Sequence, residues 1–176
     1  MRFEKVSKEE FKKTIKKLYP YVDEKERDVI YEDIKLPKRA TKCSAGYDFY
    51  SPIGFRLMAG KTELIPTGIK VALDDDKFLM MCPRSGLGFK FRIQLDNTVG
   101  IIDADYIQSD NEGHIMIKLT NDSRENKDVY IEPGDAIAQG IILQYFKTEN
   151  DDVVAERNGG FGSTSKKQQP LSEERC

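Results

Sequence analysis

Leu64-Ile65-Pro66-Thr67-Gly68-Ile69-Lys70-Val71-Ala72-Leu73 is a strand-length apolar run punctuated by a proline and a glycine. Four more runs share its character: Phe78–Cys82, Phe91–Leu95, Ile115–Leu119 and Ile137–Phe146. All are rich in Ile, Leu or Phe, and Gly, Pro, Asn and Asp recur between them at short spacing. From Ala40 onward this pattern predicts an all-β sandwich or jelly roll with little helix. No internal repeat is present.

Upstream the pattern changes. Ser7 and Glu10 have the spacing of a helix-capping box, and Phe11, Ile15 and Leu18 make one apolar stripe among lysines, which predicts a helix over 7–18. Glu9, Glu10 and the shortness of the stretch favour packing on its own domain over a membrane surface. Residues 19–39 read as charged and irregular, with Pro20 and Pro37 as breakers. The expected organisation is an N-terminal helical extension and linker (1–39), a β domain (40–150) and a flexible C-terminal arm (151–176) ending in a polar tail.

The 176 residues are 39% hydrophobic, enough for a core, and 33% charged, which favours solubility. A net charge of −2 provides no global basic field for duplex nucleic acid, so phosphate recognition has to be local. Cys43, Cys82 and Cys176 lie far apart with no C-x-x-C pair, which argues against a zinc site or a disulfide framework and fits a reducing cytoplasm. Met1-Arg2-Phe3-Glu4-Lys5 has no apolar core of a signal peptide, and no run approaches a membrane span. The expectation is a cytoplasmic protein with no nucleic-acid or membrane partner.

The arm holds Arg157-Asn158-Gly159-Gly160-Phe161-Gly162-Ser163-Thr164-Ser165, which cannot build a core. Composition alone allows a Gly/Ser tail. It equally supplies what a nucleotide clamp needs: an approachable backbone, hydroxyl donors, a guanidinium that matches phosphate oxygens and a flat ring. Four further segments carry more polar character than strand ends need. They are Ala45-Gly46-Tyr47-Asp48, Pro83-Arg84-Ser85-Gly86-Leu87-Gly88, Gly100-Ile101-Ile102-Asp103-Ala104-Asp105-Tyr106 and Gly134-Asp135-Ala136-Ile137-Ala138-Gln139. Each has a plain structural reading: an Asx turn at Asp48, a surface turn at 83–88, a hairpin-turn Asp103, strand packing for Tyr106 and a strand polar residue at Gln139.

In this order, with the arm last, the five segments resemble the five motifs of the homotrimeric dUTPase family, from about Thr41 to Ser165. Any one is weak evidence; five in order are specific. The resemblance implies a dUTPase-like jelly roll, or β-clip, and hydrolysis of dUTP to dUMP and pyrophosphate. It implies Asp103 as the base for the attacking water, Arg84, Ser85 and Gly86 on the phosphates, and Asp48 and Gln139 around the α-phosphate, Arg84 and the waters of Mg²⁺. It implies Asn97, with backbone groups such as those of Gly100 and Ile102, reading uracil. Tyr106 would lie beneath the deoxyribose, where its ring leaves no room for a 2′-hydroxyl. In the arm, Phe161 would stack on the base, while Arg157, Gly162, Ser163 and Thr164 reach the phosphates of a neighbouring subunit's site. Mg²⁺ would ride on the triphosphate with no direct protein ligand.

Three departures from the family pattern stand out. Only Asn158 separates Arg157 from the Gly-Gly pair, Ser165 replaces a usual glycine, and Ile107–Glu112 lengthens the connection between Tyr106 and Gly113. Because Asp110 and Glu112 would repel phosphates, this loop is expected to point toward solvent or a partner. His114 after it reads as a surface or packing residue. Rival readings are a dCTP deaminase of the same fold, and a phage or bacterial regulator that uses the scaffold to bind a regulatory protein partner.

Overall fold

The run Ile137–Phe146 becomes the central strand of the largest sheet. The structure, a computed structural model, describes residues 1–154. Within them lie β1 (Arg2–Lys5), α1 (Lys8–Leu18), α2 (Glu24–Glu32), β2 (Lys38–Arg39), β3 (Tyr47–Tyr50), β4 (Phe55–Leu57), β5 (Thr62–Pro66) and β6 (Ile69–Ala72). Then follow β7 (Lys77–Pro83), α3 (Ser85–Phe91), β8 (Ile93–Leu95), β9 (Gly100–Asp103), a 3₁₀ turn at Ala104–Gln108, β10 (Met116–Asn121), β11 (Val129–Ile131) and β12 (Ala136–Gln144). All strand pairs are antiparallel, in sheets ordered β2-β3-β12-β7-β9, β5-β10-β8, β1-β6 and β4-β11. The architecture is the expected all-β, jelly-roll-like one.

The large sheet closes tightly because Gly140 has no side chain. A Cβ there would stand 2.8 Å from both Leu79 Cδ1 and Phe49 Cε2, atoms of the two flanking strands. Phe49, Leu79 and Ile137 are fully buried in the same cluster as Ile65, Ile115 and Ile117 of the second sheet region.

The stretch 64–73 is not one strand. At Gly68 φ is +72°, a value that favours glycine, and the chain breaks there into β5 and β6, which join different sheets. The run that begins at Phe91 likewise starts as the last residue of α3, and only Ile93–Leu95 is extended.

The N-terminal segment is part of the body of the fold. β1 pairs with β6, and Phe11 and Ile15 of α1 are fully buried in the common core. Residues 19–39, expected to be irregular, contain α2. Asp23 caps it reciprocally, its carboxylate accepting from Glu26 N–H while Glu26 Oε2 accepts from Asp23 N–H. This Asp-x-x-Glu signal was readable beside the breakers and outweighs them. At α1 the box is only half formed. Ser7 Oγ accepts from Glu10 N–H, but the Glu10 carboxylate turns to Lys13 and Thr14. Ser7 N–H donates instead to Glu112 Oε2 at 2.8 Å.

That contact corrects the expectation for Glu112, while Asp110 is exposed to solvent as expected. Glu112 also accepts from Ser7 Oγ–H at 2.5 Å and from Lys70 Nζ at 3.4 Å, so the loop folds back onto its own domain. Gly113, with φ +72°, permits the return: a Cβ there would lie 2.6 Å from Ile107 Cα.

His114 is 1% exposed, a packing residue as expected. Its Nε2 accepts from Gly68 N–H at 2.9 Å, its ring centroid is 6.2 Å from that of Phe11, and Nδ1 has no partner. Burial pushes its pKa down from 6.5 to about 4, against the opposing pull of Glu10 and Glu112. The fold therefore holds this imidazole neutral. Its contribution is complete above pH 6.5 and is lost as pH falls toward 4. Between pH 7.5 and 5 the loss should be about 2 kcal/mol, before most carboxylates titrate. Urea unfolding at those two pH values should show it, and His114→Gln should flatten the difference.

Candidate active site

Five of the sequence-derived site residues, Asp48, Arg84, Ser85, Gly86 and Gln139, lie at one end of the large sheet. β3 carries Asp48 and β12 carries Gln139, paired in register, and Gln139 in turn faces Cys82 near the end of β7. Just past that end, Arg84 lays its guanidinium on Asp48, with Nε 3.0 Å from Oδ1 and Nη2 3.3 Å from Oδ2. Arg84 Nη1 also donates to Ala136 O at 3.3 Å, so three strands hold the fork. Asp48 has only 16% of its side chain exposed against 38% for Arg84, so the carboxylate lies beneath and orients an accessible cation. Gln139 Nε2 donates to Pro83 O at 3.0 Å and fixes the start of the next segment. Gly46 makes room for this amide, because a Cβ there would lie 2.4 Å from Gln139 Oε1.

Pro83–Gly88, readable as a surface turn, opens α3. Arg84 occupies the cap position and makes no side-chain capping bond, which leaves its guanidinium to Asp48 and the outside. Ser85 and Gly86 are exposed at the first turn, where backbone N–H groups lack helical acceptors. Phosphate oxygens would find there a fork, a hydroxyl and amide donors together.

Asn97, Gly100, Ile102, Asp103 and Tyr106 form a second group. β8 and β9 bracket a tight turn in which Thr98 has φ +68°, and the exposed Asn97 lies over Gly100. β9 runs beside β7 and sets Asp103 opposite Phe78. Of the two isoleucines before it, Ile102 is 9% exposed and Ile101 is 54% exposed, so only one of them faces the core. Asp103 lies on a polar cavity of ≈ 460 Å³ lined by Asp75, Ala104, Asp105, Gln108, Tyr145 and Lys147. Tyr145 and Lys147 arrive there because the chain after β12 is tied to the 74–76 turn, with Tyr145 N–H on Asp76 O and Tyr145 Oη–H on Asp75 O. No local signal marked Asp75, Tyr145 or Lys147.

Tyr106, in the 3₁₀ turn, is 6% exposed. Its hydroxyl donates to His114 O at 3.1 Å and accepts from Asn111 Nδ2 at 3.0 Å. Arg157, Phe161, Gly162, Ser163 and Thr164 lie outside the described residues.

Within one chain Asp103 is well separated from Arg84 and Gln139, although Gly100 lies opposite Met81, next to Cys82. Asp103 pairs with Phe78 and Gln139 with Cys82, four residues apart on β7, which is about 13 Å of strand. Arg84 lies two residues further on.

A β fold with a carboxylate at the end of one strand and a guanidinium-bearing turn at the far end of its neighbour is compatible with a nucleotide-phosphate hydrolase. Comparison with known proteins narrows the class. The dUTPase family model matches residues 32–165. The deoxyuridine 5'-triphosphate nucleotidohydrolase of Lactococcus lactis subsp. lactis is 39% identical over 134 residues, covering 74% of this chain and 88% of that relative. The enzyme of the same description from Photorhabdus laumondii is 37% identical over 145 residues, with 78% and 91% covered. Among solved structures, the dUTPase of Streptococcus mutans is similar with a TM-score of 0.63 at 29% identity, over 85% of this chain and 99% of that one. The dUTPase of Staphylococcus bacteriophage 80alpha with dUPNHPP is similar with a TM-score of 0.56 at 25% identity, over 76% and 94%. The chain belongs to the dUTPase family.

Proposed function

We propose that this dUTPase cuts dUTP to dUMP and pyrophosphate by in-line attack of a water activated by Asp103, in a site shared between subunits of a homotrimer. Asp103 holds the water and takes its proton as the oxygen meets the α-phosphorus. Arg84, oriented by Asp48, and Ser85 hold the phosphate oxygens, so that charge moving onto the leaving pyrophosphate meets fixed donors. Asn97 presents an amide donor and acceptor to the uracil edge, and Tyr106 occupies the space a 2′-hydroxyl would need. Arg157, Phe161, Gly162, Ser163 and Thr164 close the site from a neighbouring chain.

Among the described residues, no group of three His, Cys, Asp or Glu side chains converges where a cation could be caged. Asp48 and Gln139 Oε1 instead offer oxygen acceptors to the waters of an ion that arrives on the triphosphate, and this donor set fits Mg²⁺. Bound there, Mg²⁺ would supply neutralisation of phosphate charge, with Asp48 and Gln139 holding its waters.

The single observation that carries the shared site is the separation along β7. A water held by Asp103 and a phosphate gripped by Arg84 would have to lie within a few ångströms of each other, and the two side chains start at opposite ends of a strand. A second copy placing its Arg84 end against the Asp103 end of the first copy's β9 would bring them together. The test is complementation. Asp103→Asn and Arg84→Ala should each be nearly inactive; unfolded together and refolded as an equal mixture, they should recover roughly one quarter of wild-type activity, because one site in every mixed trimer has both groups intact. No recovery in trimers of proven mixed composition overturns the shared site. A dCTP deaminase of the same fold would release ammonia from dCTP, and absence of that release separates the readings.

The rival regulatory reading would need a docking surface, and an apolar groove beside α2 is a candidate for it. Tyr21 and Val29, 77% and 61% exposed, border this groove of ≈ 560 Å³ against Pro52–Gly54 and Pro133.

A further inference from the structure

We infer that Asn111 and Glu112 are positioning residues for substrate selection, acting through Tyr106; this rests on the sugar-contacting role of Tyr106 proposed above. The lengthened connection is a clasp between the N-terminal helix and that tyrosine.

Every member of the clasp is bonded. At one end Glu112 has a left-handed backbone, φ +58°, which a residue with a Cβ adopts only when its surroundings hold it there. What holds it is Ser7, the cap of α1, through both N–H and Oγ–H, with Lys70 of β6 alongside. At the other end Asn111 Nδ2 bridges Tyr106 Oη at 3.0 Å and His114 O at 3.2 Å, while its Oδ1 accepts from Gly113 N–H at 3.2 Å. Tyr106 Oη–H completes the set on His114 O. The base of the clasp is rigid as well: His114 Nε2 accepts from Gly68 N–H, and Gly68 O accepts from Val6 N–H, the residue beside Ser7.

The consequence is positional. Excluding a 2′-hydroxyl requires a ring that cannot retreat, since a shift of less than an ångström would admit one oxygen. Packing limits the tilt of a phenol ring, but its hydroxyl end is fixed by hydrogen bonds. Here Tyr106 Oη has an acceptor in the main chain and a donor in Asn111, and Asn111 is in turn fixed by a loop tied to α1. The N-terminal helix thereby sets how firmly the enzyme distinguishes deoxyribose from ribose.

The test compares kcat and KM for dUTP and UTP in the full-length enzyme with Asn111→Ala, Glu112→Ala, Ser7→Gly and Tyr106→Ala, with melting curves to establish folding. Tyr106→Ala should raise kcat/KM for UTP relative to dUTP by the largest factor. Asn111→Ala should relax the same ratio by about tenfold, mainly through a higher KM for dUTP and a lower one for UTP. Glu112→Ala or Ser7→Gly should move it in the same direction by less. Asn111→Ala added to Tyr106→Ala should cause no further relaxation, because the ring it positions is gone. If Tyr106→Ala leaves the ratio unchanged, the reading of Tyr106 itself fails. If Tyr106→Ala relaxes it while folded Asn111→Ala, Glu112→Ala and Ser7→Gly alter both substrates equally, the clasp is structural only and this inference is overturned.

Discussion

Asp103→Asn should fold, melt and bind nucleotide as the parent does, and turn over dUTP about 10²–10⁴-fold more slowly. Asn keeps the shape of the carboxylate and loses its basicity. Asp103 is exposed at the end of β9 and lines a polar cavity, so the substitution leaves no buried charge uncompensated. The core position of the strand is Ile102, opposite Leu79, and it is untouched. Stopped-flow proton release, with equilibrium binding of a non-hydrolysable analogue, separates turnover from affinity. Near-normal turnover by the folded variant would sink the assignment of the base.

Arg84→Ala should lower kcat/KM by about 10²–10³, the usual scale for losing one donor aimed at developing negative charge. The geometry makes a further demand. Arg84 contacts Asp48 through two nitrogens while a third reaches Ala136 O, so its fork is held flat by three strands. A lysine has one nitrogen and no plane, and cannot make both contacts while facing phosphate. Arg84→Lys should therefore recover little, and Asp48→Asn, which loosens the fork without removing it, should fall between. Steady-state kinetics on the three variants decides the order. If Arg84→Lys matches the parent, the fork is not the feature that matters.

The candidate site residues were legible because their chemistry is local. Arg84-Ser85-Gly86 and the Asp103–Tyr106 segment can be recognised wherever they sit in a chain, and Ser7 could be read as a cap from its neighbours alone. What partners these residues find was not legible. Ser7 N–H goes to Glu112 and not to Glu10, and nothing within several residues of either announces it. Asp75, Tyr145 and Lys147 join Asp103 only because the chain after β12 packs on a distant turn. The split at Gly68 was hidden for the same reason. An apolar run looks continuous until its two halves are drawn to different sheets.

By itself the sequence determined the all-β class from Ala40 onward, the cap of α1 and the five motif segments that carry family membership. Turn chemistry, apolar spacing and motif order act over a few residues and survive any tertiary context. Only the tertiary structure decided that the first, second and fourth motifs converge at one end of β7 while Asp103 of the third lies toward the other. It also decided that the 107–112 loop grips Tyr106. Strand register and loop docking are set by partners far away in the chain, through side chains that must interlock in three dimensions, and no short window of residues contains both halves of such a contact.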